Sequence, residues 1–390
     1  MADAMPDIAV IFGGPSPEHD VSVLTGLQAA RALAGGSGGS PGEPGGPGGR
    51  VRALYWSKAG DWFEVDPGLE GSDFLEGAPA GAAPLKLSLG TGGGFVSEGG
   101  RFSKPRRLDV GVALVCCHGG PGEDGTLQGA LDLAGIRYAG PSLAGAALGM
   151  DKLAFAAAVS AAGLPALPRA LLREDTAELD FPGPYIVKPR FGGSSIGIDV
   201  VEDLSTARHR LVSNRHLGAG AVIEPYRGDL YDLQIAVRTW PHLTLSAVEK
   251  PLRTPRAGGA AGEPEILGYA DKYAGGEGMA GAPRELPARI DPRLESSLRA
   301  AATSVASIAS VRGVTRVDFL SDGADLFVNE VNTIPGSLSR YLWVDPPVPF
   351  ARLIADMLAE ARHRPSHLYT SAGADGTVLR GASSIAAKLA

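Results

Sequence analysis

Only two cysteines occur in 390 residues, and they are adjacent, Cys116 and Cys117, inside the apolar run VGVALVCCHGG. Neighbouring side chains on a strand point to opposite faces, so a disulfide framework is excluded and a reducing compartment, the cytoplasm, is expected. The chain also lacks any run of about 18 uninterrupted apolar residues, and its start, MADAMPDIAVIFGG, enters a strand without a basic region or cleavage site. No membrane partner is expected. There is no excess of basic residues either: 43 acids stand against 36 lysines and arginines, a formal charge of -7, with no long basic run. A nucleic-acid partner is disfavoured, and any phosphate must be met by local groups.

What is present reads as a mixed α/β chain long enough for two or three domains. IAVIF (8–12) is a short apolar strand ending in Gly13-Gly14, and Val21 to Leu33 carries a helical pattern. Residues 35–49, GGSGGSPGEPGGPGG, have almost no side chain to bury and read as a surface insertion. Residues 67–104 are poorly patterned and read as a loop or small excursion. From Asp151 the text becomes helical (DKLAFAAAVSAAG), then gives the strands YIVKP and GAVIEPY and the alternating DLYDLQIAV, which together predict a mixed α+β region. A helix over 297–312 leads to the hairpin TRVDFLSDGADLFVNEVN with a Ser-Asp-Gly turn.

That hairpin carries the first candidate site. Arg316 and Asp318 lie two apart on one strand, as do Glu330 and Asn332 on the next, so each pair shares a face. Hard oxygen donors so placed suit magnesium, which takes one or two carboxylates plus substrate phosphates. The second candidate is YIVKPRFGGSSIGI (185–198), a strand that delivers Lys188 and then a glycine-serine loop whose backbone NH groups could surround a phosphate. Its lysine precedes the glycines, unlike a standard P-loop. The third, HGGPGEDGTLQG (118–129), follows a buried strand as a ligand loop does, and its Glu123 and Asp124 could equally cap the next helix. The fourth is FGGPSPEHDVS (12–22), where Glu18 and His19 open a helix behind a glycine turn without a GxGxxG fingerprint.

Taken in order, these segments resemble the D-alanine-D-alanine ligase family of the ATP-grasp fold, from Ile8 to about Leu353. The matching text is GGPSPEHDVS, HGGPGEDGTLQG, MDK (150–152), VKP with GGSSIGI, RVDF and NEVNTIPG. The resemblance implies an N-terminal Rossmann-like parallel-sheet domain (1–149), two mixed α+β subdomains that clamp ATP (150–228 and 229–365) and a tail (366–390). It implies ATP and two magnesium ions, with manganese as a substitute, and a homodimer acting on D-amino acids.

By the same resemblance Lys152, Lys188, Gly193, Ser195 and Lys272 would hold the phosphates, Glu224 and Asp232 the adenine and ribose, and Asp318, Glu330 and Asn332 the metal. Glu18, Ser194 and Tyr273 would form a network around the first amino acid near His118, and Arg316 would neutralise charge at the reacting carbonyl. After Gly336 the text GSLSRYLW departs from the family pattern. Ser337 or Ser339 could bind the second carboxylate and Arg340 could pair with it, while Tyr341 occupies the ungapped position of the family's serine. The expected reaction is formation of D-alanyl-D-alanine through an acylphosphate for peptidoglycan. The alternative is a related carboxylate-amine ligase with another acceptor. A catalytically silent relative would have lost phosphate or metal ligands that are present here.

Overall fold

The computed structural model describes residues 6–35, 49–90, 92–99, 104–252, 283–364, 370–381, 384, 385 and 388. Three sheets organise it. The first has eight strands, β1 (Asp7–Gly13), β2 (Val51–Trp56), β3 (Trp62–Val65), β4 (Ala83–Ser88), β5 (Gly94–Ser97), β6 (Arg106–Arg107), β7 (Val110–Val115) and β8 (Tyr138–Ala139), in the order β6-β5-β4-β3-β2-β1-β7-β8. Strand β1 is an unbroken buried apolar run because it pairs in parallel on both sides, with β2 and β7. The poorly patterned stretch 67–104 is corrected here: it contributes β4 and β5, antiparallel additions to that sheet. Their alternation is short and interrupted by glycine, which hid it from a reading by period.

Helices α1 (His19–Gly35), α2 (Gly120–Glu123), α3 (Thr126–Leu133) and α4 (Leu143–Met150) follow these strands, and α5 (Lys152–Ala161) leads away. The turn between β1 and α1 requires glycine. Gly13 has φ +90°, and a Cβ there would stand 2.2 Å from the Trp56 carbonyl oxygen. Ser22, one turn into α1, then stitches two strand ends together: its hydroxyl accepts from the Gly13 and His118 amides at 3.1 Å and lies 2.9 Å from both the Gly13 and the Cys116 carbonyls, which share its one proton.

The second sheet has β9 (Ala170–Leu172), β10 (Tyr185–Pro189), β11 (Asp199–Val201) and β12 (Ala221–Pro225), backed by α6 (Leu204–Ser213). The third has β13 (Tyr231–Arg238), β14 (Thr244–Pro251), β15 (Arg284–Glu285), β16 (Val314–Ser321) and β17 (Leu326–Asn332), with α7 (Pro292–Ile308) packed on it. Helix α7 begins earlier than its apolar period suggested because Asp291 caps it, accepting from the Arg293 amide at 2.8 Å, and a proline sits in the first turn. Helix α8 (Phe350–His363) returns to the first sheet: Leu353, Ile354, Met357 and Leu358 join the core of β1 and β7. This late helix is thereby tied to the first strand.

Candidate active site

Antiparallel register builds the site's floor. Asp318 on β16 stands directly opposite Glu330 on β17 and opposite Gln234 on β13, and Gln234 stands opposite Glu249 on β14. One row of four polar side chains therefore crosses the inner face of the third sheet. A bulge between Asp318 and Phe319 leaves Asn329 as the extra residue, so the period of β17 shifts immediately beside Glu330. One step along the strands, Arg316 stands opposite Asn332. Arg316 grips the Asp318 carboxylate at 2.6 and 2.8 Å, and Asn332 Nδ2 donates to the same carboxylate at 3.0 Å.

The Asp318 carboxylate stands alongside Glu330 and the buried Oε1 of Gln234, which has no hydrogen-bond partner among the described residues. These are hard oxygen donors of the kind magnesium takes. Among the described residues no three His, Cys, Asp or Glu side chains converge as a closed metal cage. A divalent ion on Asp318 and Glu330 would complete its shell with phosphate and water.

Facing this row, β10 and α5 bring in the two lysines. Asp151 caps α5 by accepting from the Leu153 and Ala154 amides, and Arg190 holds that carboxylate at 2.8 and 2.6 Å. Lys152 is thereby fixed in the first turn, with its ammonium on the Gly192 carbonyl. Lys188, buried, donates to Glu224 at 3.0 Å, and Arg169 pairs with the other Glu224 oxygen at 2.8 Å. Burial pushes the Glu224 carboxyl up, but Arg169 and Lys188 outweigh it and hold it at about 2. The Glu224 carboxylate is thus engaged by two cations.

Lys152, Lys188, Gly193, Ser195, Glu224, Asp232, Asp318 and Glu330 all line one cavity, together with the apolar Ile186 and Leu320 and with Tyr226. Ser194 and Ser195 adopt φ +53° and +58°, turning the loop over that cavity. The Ser194 hydroxyl donates to Glu18 across 176 residues of sequence. Glycine is needed on one side of that acid: Gly119 has φ +61°, and a Cβ there would meet Glu18 Oε2 at 2.3 Å, while one at Gly193 would stand 3.1 Å from the same oxygen. Lys272 and Tyr273 lie outside the described residues.

His118 is buried, and its Nε2 lies 2.8 Å from Thr25 Oγ1, which also accepts from the Ser337 amide. Burial, aided by the charge of Arg316, lowers the His118 pKa to about 4. The unfolded value is near 6.5, so stability held by the neutral ring is complete above about pH 6.5 and is lost as pH falls through 4. Acid titration of the melting temperature should show this loss in the wild type and a flatter curve in His118→Asn. Glu123 is no helix cap. Buried, it accepts from the Gly119 and Ile334 amides at 2.9 and 2.8 Å and from Thr333 at 3.2 Å, clamping the 118–125 loop to the TIPG turn. Burial raises its carboxyl to about 7, with Glu18 adding to the rise.

The turn after Gly336 differs from expectation. Ser337, Leu338 and Ser339 all have φ near +50°. Ser339 is fully buried with its hydroxyl unpartnered among the described residues, and Arg340 turns outward over the Phe350 ring at 5.8 Å, so it does not join the site. Tyr341 turns inward instead, its ring 4.6 Å from the Arg284 guanidinium. Arg169, Thr25, Gln234 and Glu249 escaped the sequence reading. Glu249, an acid on the buried face of an apolar strand, carried a usable signal, whereas Arg169 sits in a loop with none.

Two sheets clamped around a cavity with paired lysines on one side, paired acids on the other and a glycine-serine loop above define a nucleotide-clamping ATP-grasp protein. The comparisons narrow this. The family described as D-ala D-ala ligase N-terminus matches residues 7–141, and D-ala D-ala ligase C-terminus matches residues 146–359. A D-alanine--D-alanine ligase of Synechococcus is 30% identical over 378 residues, covering 91% of this chain and 98% of the relative. The D-alanyl-alanine synthetase A of Vibrio cholerae superposes with a TM-score of 0.73 at 19% identity, over 93% of this chain and all of that one. The VanG D-Ala:D-Ser ligase of Enterococcus faecalis gives 0.69 at 25% identity, over 91% and 99%. The chain belongs to the D-alanine-D-alanine ligase family.

Proposed function

We propose that this protein is an ATP-dependent ligase that joins two D-alanine molecules into D-alanyl-D-alanine in the cytoplasm, for peptidoglycan. The observation that carries the reading is the meeting of Glu18 with Ser194 at the edge of the cavity that gathers Lys152, Lys188, Asp318 and Glu330. Family relatives bearing that printed activity over nearly the whole chain support it.

Bound ATP supplies the phosphoryl group that activates the donor carboxylate, and magnesium, two ions in this reading or manganese in their place, offsets phosphate charge. The chain does the rest. Glu18 receives the donor ammonium, Ser194 and Tyr273 orient it, and neutral His118 walls the donor side. Lys152, Lys188 and Lys272 neutralise phosphate oxygens, and the Gly192–Gly197 loop with its Gly193 and Ser195 amides excludes water. Asp232 receives the ribose, Glu224 and the backbone that follows it receive the adenine, and Glu224 also keeps Lys188 and Arg169 in place. Arg316 faces the reacting carbonyl, where negative charge develops. We assign residues 1–149, 150–228 and 229–365 as the donor-binding domain and the two clamping subdomains, and a homodimer as the assembly.

Phosphate release from Mg-ATP with single and paired D- and L-amino acids and D-lactate, with product masses recorded, tests this reading. D-alanine alone should give the D-alanine dimer; turnover only with another pair would reject it for the second reading, a ligase with a different acceptor. Glu18→Gln should raise the KM for the donor roughly 10- to 100-fold, the loss of one charge-assisted contact, with the KM for ATP nearly unchanged. Equal rises in both would leave Glu18 a helix-start role only.

A further inference from the structure

The row of polar side chains extends past the nucleotide cavity. That cavity is lined by Glu330, Asp318 and Gln234 and goes no further along the row. Glu249, the fourth member, lies on the β14 side of Gln234, two strands from Asp318. Next to the row, Ala236 stands opposite Arg316 and contributes only a methyl group between Arg316 and β14. Glu249 is 2% exposed. Its Oε1 pairs with Arg284 Nη1 at 2.8 Å, and its Oε2 has no hydrogen-bond partner among the described residues. The Tyr341 hydroxyl is buried and equally unpartnered, and the turn that carries it packs on β13, β14 and β16.

A buried carboxylate oxygen without a donor is costly, and native structures keep such an atom where a ligand or water supplies the missing hydrogen. In the ligase reading, on which this inference rests, Arg316 marks the reacting carbonyl and the cavity marks the phosphate side. An attacking amine must then approach from the side away from the phosphates, which is where Glu249 and Tyr341 stand.

We infer that Glu249 is the residue that binds the ammonium of the acceptor amino acid and takes its proton. One N–H proton passes to Glu249 Oε2, leaving a neutral amine. Its lone pair forms the C–N bond to the donor carbonyl carbon. The C–O bond to phosphate breaks, its electron pair leaving on inorganic phosphate, and the second ammonium proton passes from the new amide nitrogen to that phosphate. The charged and titratable groups facing Glu249 are Arg284 from β15, Arg316 and Asp318 from β16, and Tyr341. Burial lifts its carboxyl, Arg284 and Arg316 pull it back and Asp318 adds to the rise.

Hydroxylamine separates this role from a structural one, because it is uncharged near neutrality and attacks an activated carboxylate without a base. With D-alanine and Mg-ATP, full-length Glu249→Gln should form dipeptide about 100-fold or more slowly. It should form D-alanyl hydroxamate within about threefold of wild type, since uncharged hydroxylamine needs neither the ammonium contact nor the general base. Glu249→Asp should recover part of the dipeptide rate, and it gives the same comparison if the glutamine variant fails to fold. Dipeptide and hydroxamate falling together, or a dipeptide rate left intact, overturns the assignment. A wild-type protein that makes neither product instead sinks the ligase reading itself.

Discussion

Glu330→Ala should lower ATP turnover by at least about 10³-fold, roughly 4 kcal/mol of lost stabilisation, while the protein still unfolds in one cooperative step. The expectation follows from the register. Glu330 and Asp318 are directly opposite on β17 and β16, on one cavity wall, with Lys152 and Lys188 on the facing wall. A metal that bridges phosphate oxygens contributes several kcal/mol to charge stabilisation, and removing half of its protein ligands removes most of that. Asp318→Ala should be as inactive but less stable, because it also strips the buried Arg316 guanidinium of both short contacts. Phosphate release and thermal melting of both variants check this. An active Glu330→Ala protein would take the metal away from this hairpin.

The largest effect on stability should come from Glu224→Leu, a loss of about 3–5 kcal/mol. The carboxylate is 1% exposed and neutralises two cations that are themselves buried, so its removal leaves Lys188 and Arg169 uncompensated. The wild type should carry a matching pH dependence. A carboxyl held at about 2 in the fold and near 4.5 when unfolded contributes about 3 kcal/mol, present above the unfolded value and lost as pH falls through 2. Denaturant titrations of wild type and Glu224→Gln between neutral and strongly acid pH measure both. Equal slopes in the two proteins would mean that the pair is not coupled to folding.

Much of this molecule was legible from local pattern. The central strand β1 reads from its unbroken apolar run, and the hairpin β16–β17 from alternation around Ser-Asp-Gly. The shared face of Asp318, Glu330 and Asn332 follows from a period of two, and Lys188 ahead of its glycines reads from spacing. Strands β4 and β5 were missed because an edge addition to a sheet needs little apolar period. The pairing of Glu224 with Lys188 and Arg169 was not legible, because a strand pattern says which face a side chain is on, not which cation lies beyond it.

The sequence by itself determined the alternation of strands and helices, the glycine turns, and the order of lysines and acids along the chain, since each depends on residues a few positions apart. Only the tertiary structure decided that Ser194 reaches Glu18, that Thr25 joins His118 to Ser337, that Arg340 turns out while Tyr341 turns in, and that Glu249 ends the row begun by Glu330. Those contacts are set by how separate sheets pack and by strand register across four chain segments. Neither is encoded in any single stretch of the chain.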